Sequence, residues 1–188
     1  MVKQLRPALL LLVVLTVLTG VVYPLVVTGI AQLAFPRQAN GSLVMAGESI
    51  AGTALLGQAN ADPRYFQPRP SATGYGTLPS GGSNLAPTSV DLVAAVAQRA
   101  ADFRAANGLA ADAAVPTEML FASGSGLDPH ISPDAARWQV ARVAAARGLD
   151  EAAVAALVEA HVEGPQLGIF GQPRVNVLLL NLALDELE

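Results

Sequence analysis

From Pro7 to Pro36 the chain carries no charged side chain, and most of these positions are Leu, Val, Ile or Ala. A helix rises ~1.5 Å per residue, so Ala8 to Ile30 supplies the ~20 apolar residues that a ~30 Å hydrocarbon core requires. The run occurs once. A single helix satisfies its own backbone in lipid but has no interior, so it cannot by itself enclose an ion path. The expectation is an anchor over residues 1–36, with a transmembrane helix at about 8–30 in a lipid bilayer, followed by one domain over 37–188.

A cleaved signal peptide is the competing reading, with Lys3 and Arg6 as its basic end and Gly29 and Ala31 as small residues at a cleavage site. Signal h-regions stop at ~7 to 15 residues, whereas this run continues through Tyr23-Pro24-Leu25-Val26-Val27, which favours retention. Lys3 and Arg6 precede the span and only Arg37 follows it closely, which sets the N-terminus in the cytoplasm and the domain outside. Within the span, Thr16 and Gly20 form a small-xxx-small pair with Pro24 one turn further on, a pattern that lets another helix approach. Gly and Pro are also simply frequent in membrane helices.

The segment after the span is of ordinary size for one domain. It is rich in Ala, Gly and Pro and poor in aromatics, so its core should rely on small residues. Lys3 is the only lysine, and with 11 basic against 15 acidic residues overall the exported part is acidic. That balance excludes a nucleic-acid partner. The absence of cysteine excludes disulfides, thiolate metal sites and a Cys nucleophile.

Along the domain, Ser42 to Met45 and Ser49 to Leu56 read as two strands joined by Ala46-Gly47-Glu48. From Ala59 to Thr88 there are five prolines and four glycines, too many breakers for regular structure. Tyr65, Phe66 and Tyr75 would anchor this loop on an apolar surface. Ser89 caps a helix from about Val90 to Ala106, with Leu92, Val93, Val96, Ala100 and Phe103 on one face. Ser132-Pro133-Asp134 starts a second helix that ends at Arg147-Gly148, and Asp150 caps a third through His161. Arg174 to Leu184 is β-branched and Leu-rich and reads as a buried strand. This order gives an α+β domain with a small sheet and about three helices.

The densest polar cluster is Ser123-Gly124-Ser125-Gly126-Leu127-Asp128-Pro129-His130, which leads into the Ser132 cap. Successive glycines before a helix can cradle a phosphate, but a P-loop needs a Lys beside its last Gly, and none is present. A hydrolytic triad of Ser125, His130 and Asp128 lacks the flanking glycines of a nucleophile elbow. A metal site on Asp128, His130 and Asp134 matches no ligand spacing. The plainer reading is a structural turn, with Gly124 and Gly126 shaping it, and Asp128 and Ser132 bonding the backbone and capping the helix. His161 falls with Val154, Leu157 and Val158 and reads as a core or boundary histidine. The helix pair around Gly148 looks like a helix-turn-helix, but its second helix carries Glu151 and Glu159 and no basic residue.

With these segments in place, the chain resembles the C subunit of the Kdp-type potassium-transporting P-type ATPase of bacterial inner membranes. The resemblance rests on an ordered set of motifs: Val22-Tyr23-Pro24, Leu56-Gly57-Gln58, Arg64-Tyr65-Phe66 with Arg69-Pro70-Ser71-Ala72, and Ser80 to Leu85. It continues through Pro87-Thr88-Ser89, Ser123 to Pro133, Gln139-Val140 with Arg142-Val143-Ala144, and Arg174-Val175-Asn176-Val177-Leu178. It departs at Thr117-Glu118, Leu120-Phe121 and Ala59-Asn60. The resemblance implies a single-pass, non-catalytic subunit of an ATP-driven, high-affinity K+ import complex, needed for its assembly. Its implied partners are an ion-path subunit, an ATPase subunit and a small accessory subunit. K+ is then the ion transported by the complex and ATP its fuel, with no cofactor assigned to this chain. The family's C subunit is described as a catalytic chaperone that raises the ATPase subunit's affinity for ATP, with Gln139 as a nucleotide contact. That role conflicts with the sidedness read from the flanking charges, which puts everything beyond Arg37 across the membrane from cytoplasmic ATP. The alternative from another class is a membrane-tethered extracytoplasmic hydrolase using Ser125 and His130.

Overall fold

The computed structural model describes residues 2–187. Two compact units divide after Val44.

The first unit is helical. Helix α1 spans Val2–Val17, a π-helical turn follows at Leu18–Val22, and α2 spans Tyr23–Ala34. From Lys3 to Ala34 the helix is long and apolar enough to cross a membrane, with a mean hydropathy of 2.6 over its most apolar 18 residues. The π turn has a local cause. Pro24 has no N–H to donate to the Gly20 carbonyl, and Tyr23 N–H reaches back five residues to Leu18 O. A short α3 at Pro36–Ala39 closes the unit, and Asn40 bonds both Pro36 O and the Gln32 side chain.

Strands β1 (Leu43–Ala46) and β2 (Ser49–Thr53) form a two-stranded sheet, with β2 ending three residues before the expected Leu56. Residues 59–88 contain turns and no helix or strand. Helix α4 spans Val90–Ala106, and the Ser89 hydroxyl accepts from Leu92 N–H at its start. Only its C-terminal half enters the core, through Ala100 and Phe103; Val93, expected on the buried face, is 61% exposed. A 3-10 turn at Thr117–Met119 precedes β3 at His130–Ile131.

The helix expected from Ser132 to Arg147 is two helices. Helix α5 covers Pro133–Arg137 and α6 covers Val140–Arg147, with Trp138 and Gln139 between them. Gly148, in the left-handed region, ends α6 at the stop expected from the sequence. Helix α7 spans Glu151–Ala160. Asp150 stands at its N-cap position but makes no side-chain cap bond, contrary to expectation.

Strand β4 (Val162–Glu163) and β5 (Arg174–Asn176) come next, and β5 lies between β3 and β4 in an antiparallel three-stranded sheet. Val175 is the centre of the register, opposite Ile131 on one side and Val162 on the other. The strand expected over 174–184 lasts only three residues and turns into helix α8 at Val177–Asp185. Asn176 makes the switch: its carboxamide oxygen accepts from Leu179 N–H as an N-cap. Val177, Leu180, Asn181 and Leu184 are then buried at helical spacing.

The core is built from Phe66, Phe103, Met119 and Ile131, the valines of α6, α7 and β5, and Leu180 and Leu184 of α8. Ala135, Ala136 and Ala144 fill it at close quarters, so small residues carry much of the packing.

Candidate functional site

In the first unit, Thr16 lies at the end of α1, Gly20 in the π turn and Pro24 near the start of α2. In a regular α-helix, eight residues overshoot two turns by about 80°, which would take Thr16 and Pro24 off one face. A π turn winds more slowly and brings the three positions closer to one line. A Cβ added at Gly20 would meet nothing within 4 Å beyond its own stretch of helix backbone, so this surface is open to a neighbour. Thr19 turns its hydroxyl inward, donating to Leu15 O at 2.7 Å.

In the second unit, the residues that carry the resemblance converge on the irregular segment 62–70. Phe66 is fully buried there without any strand to pair with. Its N–H donates to Asn181 Oδ1 at 2.8 Å, and Asn181 Nδ2 donates back to Phe66 O at 3.0 Å. The next residue repeats the arrangement. Gln67 N–H donates to Gln139 Oε1 at 2.8 Å, and Gln139 Nε2 returns a bond to Gln67 O at 3.2 Å. Two side-chain amides thus stand in for a neighbouring strand, each offering one acceptor and one donor to one residue's backbone.

Arg142 completes the clamp by donating to Pro63 O, Tyr65 O, Asn107 Oδ1 and Gln139 Oε1. Burial lowers the pKa of its guanidinium, which stays charged in any case. Arg147 donates to Arg64 O, pairs with Asp185 at 2.6 Å and lies 4.5 Å from the Tyr65 ring centroid. Gln139 is completely buried, and its second donor contact is Ala135 O. In this fold its amide bonds to the chain itself. Sequence reasoning singles out Gln139 through the resemblance but misses Asn181 and the whole clamp. The available signal is an Asn and a Gln set among apolar residues at helical spacing in the sequence, a pattern that calls for partners elsewhere.

The Ser123 to Pro133 block forms a second convergence. Gly126, at φ +71°, leaves no room for a side chain: a Cβ would come 2.7 Å from Thr73 Oγ1 and 2.9 Å from Gly81 O. A Cβ added at Gly57 would meet the block just as closely, 2.5 Å from Asp128 O, and the Gly57 N–H donates to Leu127 O. Gly124 has open space around it and is under no such constraint. Ser123 N–H donates to Pro70 O, tying the block to the loop. Ser132 caps α5 by accepting from Ala135 N–H.

Asp128 accepts from His130 N–H at 3.0 Å and pairs with Arg69 at 2.9 Å. Partial burial pushes its carboxyl up, but the bonds from His130 and Arg69 outweigh burial and leave the pKa below its ordinary value. Ser125 Oγ accepts from Leu127 N–H at 3.0 Å, and no hydrogen bond joins Ser125 to His130 among the described residues. No group of three metal-ligating residues comes together among the described residues either. His161 is half-buried at the end of α7, with Nδ1 2.9 Å from Leu157 O. The arrangement can hold a loop and a helix start in register, and it presents no nucleophile with an attached base.

Against known proteins, the model of the family described as K+-transporting ATPase, c chain (KdpC), matches residues 5–186. The chain belongs to the KdpC family. Among its relatives, the potassium-transporting ATPase KdpC subunit of Rhodospirillum rubrum is 56% identical over 188 residues, covering 99% of this chain and 97% of that one. The subunit of the same name from Sorangium cellulosum is 57% identical, covering 98% of each chain. That of Methylococcus capsulatus is 52% identical over the full length of both. The KdpC likeness therefore takes in the apolar helix, the clamp and the Ser123 to Pro133 block together.

Proposed function

We propose that the chain is a non-catalytic assembly subunit of an ATP-driven potassium import complex in the bacterial inner membrane. The anchor packs against the ion-path subunit, the N-terminus is cytoplasmic, and the acidic domain lies outside and caps the outer mouth of that subunit, in an assembly that also holds an ATPase subunit and a small accessory subunit. The observation that carries this reading is the helix Lys3–Ala34, whose apolar surface is unburied within the chain, in a protein of the KdpC family. Such a surface needs lipid or other helices around it. Thr16, Gly20 and Pro24 supply its place of closest approach.

Among the described residues no hydrogen bond joins Ser125 to His130, and the Ser125 hydroxyl accepts from Leu127 N–H instead, which argues against the hydrolase alternative. A direct nucleotide contact by Gln139 is also disfavoured, because reaching it would require dismantling the clamp. Any influence on ATP affinity in the complex would then pass through contacts between subunits, with Gln139 as a positioning residue.

Co-purification tests the reading. A tagged full-length chain, coexpressed with the other subunits of the potassium-ATPase and extracted in mild detergent, should bring those subunits down; recovery of the chain alone contradicts it. Gly20→Leu should reduce that recovery, and unchanged recovery would remove Thr16 and Gly20 from the interface.

A further inference from the structure

We infer that the Thr19 carbonyl, released from the helical ladder in the middle of the membrane helix, accepts a hydrogen bond from an uncharged side chain, a hydroxyl or a carboxamide, on a transmembrane helix of the ion-path subunit. The inference rests on the assembly reading above. In an unbroken α-helix Thr19 O would accept from Tyr23 N–H. Here Tyr23 N–H goes to Leu18 O instead, and the next position along is Pro24, which has no N–H. Gly20 O loses its regular donor to the same proline. Two successive rungs of the ladder are thus removed at one place.

The chain has no side chain of its own to put there. A Ser or Thr hydroxyl bonds back to the carbonyl three or four residues before it, and the positions that could serve Thr19 and Gly20 in this way are Val22, Tyr23 and Pro24. The Thr19 hydroxyl is taken by Leu15 O at 2.7 Å. Bulk water does not reach the site either. The span runs from Lys3 to Ala34, so more than ~20 Å of helix separates Thr19 from each end, and the hydrocarbon core between them holds no solvent.

Lipid tails offer no donor, so the bond must come from another protein helix. Gly20 sets the approach. A Cβ added there would meet nothing beyond the helix's own backbone, which lets a neighbouring helix come close beside the released carbonyl. An ionised donor at this depth would cost far more than a hydroxyl or an amide, which fixes the class of the donor as Ser, Thr, Asn or Gln.

The test reads that carbonyl directly. Carbonyl-13C threonine combined with 15N glycine selects Thr19, Thr28 and Thr73, each of which precedes a glycine, and Gly20→Ala identifies the Thr19 signal by removing it. In solid-state NMR the Thr19 carbonyl should move downfield between the full-length chain alone in liposomes of bacterial phospholipid and the assembled complex. Thr28, within α2, should stay where it is. An unmoved Thr19 signal overturns the inference. A Thr19 signal already downfield in the chain alone also overturns it, and assigns the bond to a second copy or to water. In parallel, Pro24→Ala restores an N–H at position 24 without adding bulk at Gly20, and it should lower recovery of the ion-path subunit by about three- to tenfold. Wild-type recovery by this variant, while the wild-type chain itself brings down its partners, overturns the inference and spares the assembly reading. Failure of the wild-type chain to bring down any subunit overturns both.

Discussion

Two irregular segments of the domain meet opposite fates. Residues 62–70 lie along the core and bury Phe66 completely, whereas residues 164–173 project Leu167, Ile169 and Phe170 into solvent. Neither belongs to a helix, and neither can be told from the other by counting breakers. The difference lies in where the backbone bonds go. The buried segment has its N–H and C=O groups met by Asn181, Gln139 and Arg142, all distant in sequence. The exposed segment meets its own through the Gln166–Phe170 bridge and leaves Leu167, Ile169 and Phe170 exposed. An interior loop thus requires polar side chains to satisfy it, and an exterior one does not.

The sharpest way to break this contrast is Phe66→Ala, which should destabilise the chain by about 3–5 kcal/mol through the cavity it leaves. A loss under ~1 kcal/mol, read from denaturant unfolding in detergent with Trp138 fluorescence, would mean that the loop is not part of the core. Asn181→Ala comes next. It strands the N–H and C=O of Phe66 in the interior and should cost about 2–4 kcal/mol, given roughly 1–3 kcal/mol for each unsatisfied buried group. A Gln at that position should not restore it, because the added methylene displaces the amide from Phe66.

Acid should act on the Asp128 junction. The native carboxyl titrates below its ordinary value, so its stabilising contribution is complete above the ordinary carboxylate range and is lost as pH falls through the lowered value. Asp128→Asn should therefore be less stable than the parent at pH 7 and lose less on acidification to about pH 2. Parallel acid unfolding profiles for the two proteins would show that the Arg69 and His130 contacts contribute nothing. The smallest effect belongs to the exposed segment: Leu167→Ser, Ile169→Ser and Phe170→Ser combined should change stability by no more than ~0.5 kcal/mol. A large loss would place those side chains in the fold.

The pattern of legibility follows the range of the interactions. The apolar helix, α4, the Ser132 cap and the Gly148 stop are local signals, and each is readable from neighbouring residues. Arg174 to Leu184 is not, because a short apolar run does not distinguish strand from helix, and Asn176, which decides it, reads as an ordinary polar residue until its bond to Leu179 is seen. The break at Trp138-Gln139 is hidden for a related reason: Gln139 leaves the helical path to meet Gln67, 72 residues away. Of the candidate residues, Gly126 and Ser132 announce their roles through turn and cap chemistry. The clamp cannot announce itself, since no spacing rule links positions 66, 139, 142 and 181.

Sidedness tests the central claim most directly, because an assembly subunit with an external domain and a chaperone touching cytoplasmic ATP demand opposite faces of the membrane. The chain has no native cysteine, and Ser80 is exposed in the 59–88 loop, so Ser80→Cys supplies a single reporter thiol. With the domain outside, a membrane-impermeant maleimide should label this thiol in intact spheroplasts to the same extent as after permeabilisation. Labelling only after permeabilisation would place the domain in the cytoplasm and contradict an external assembly subunit.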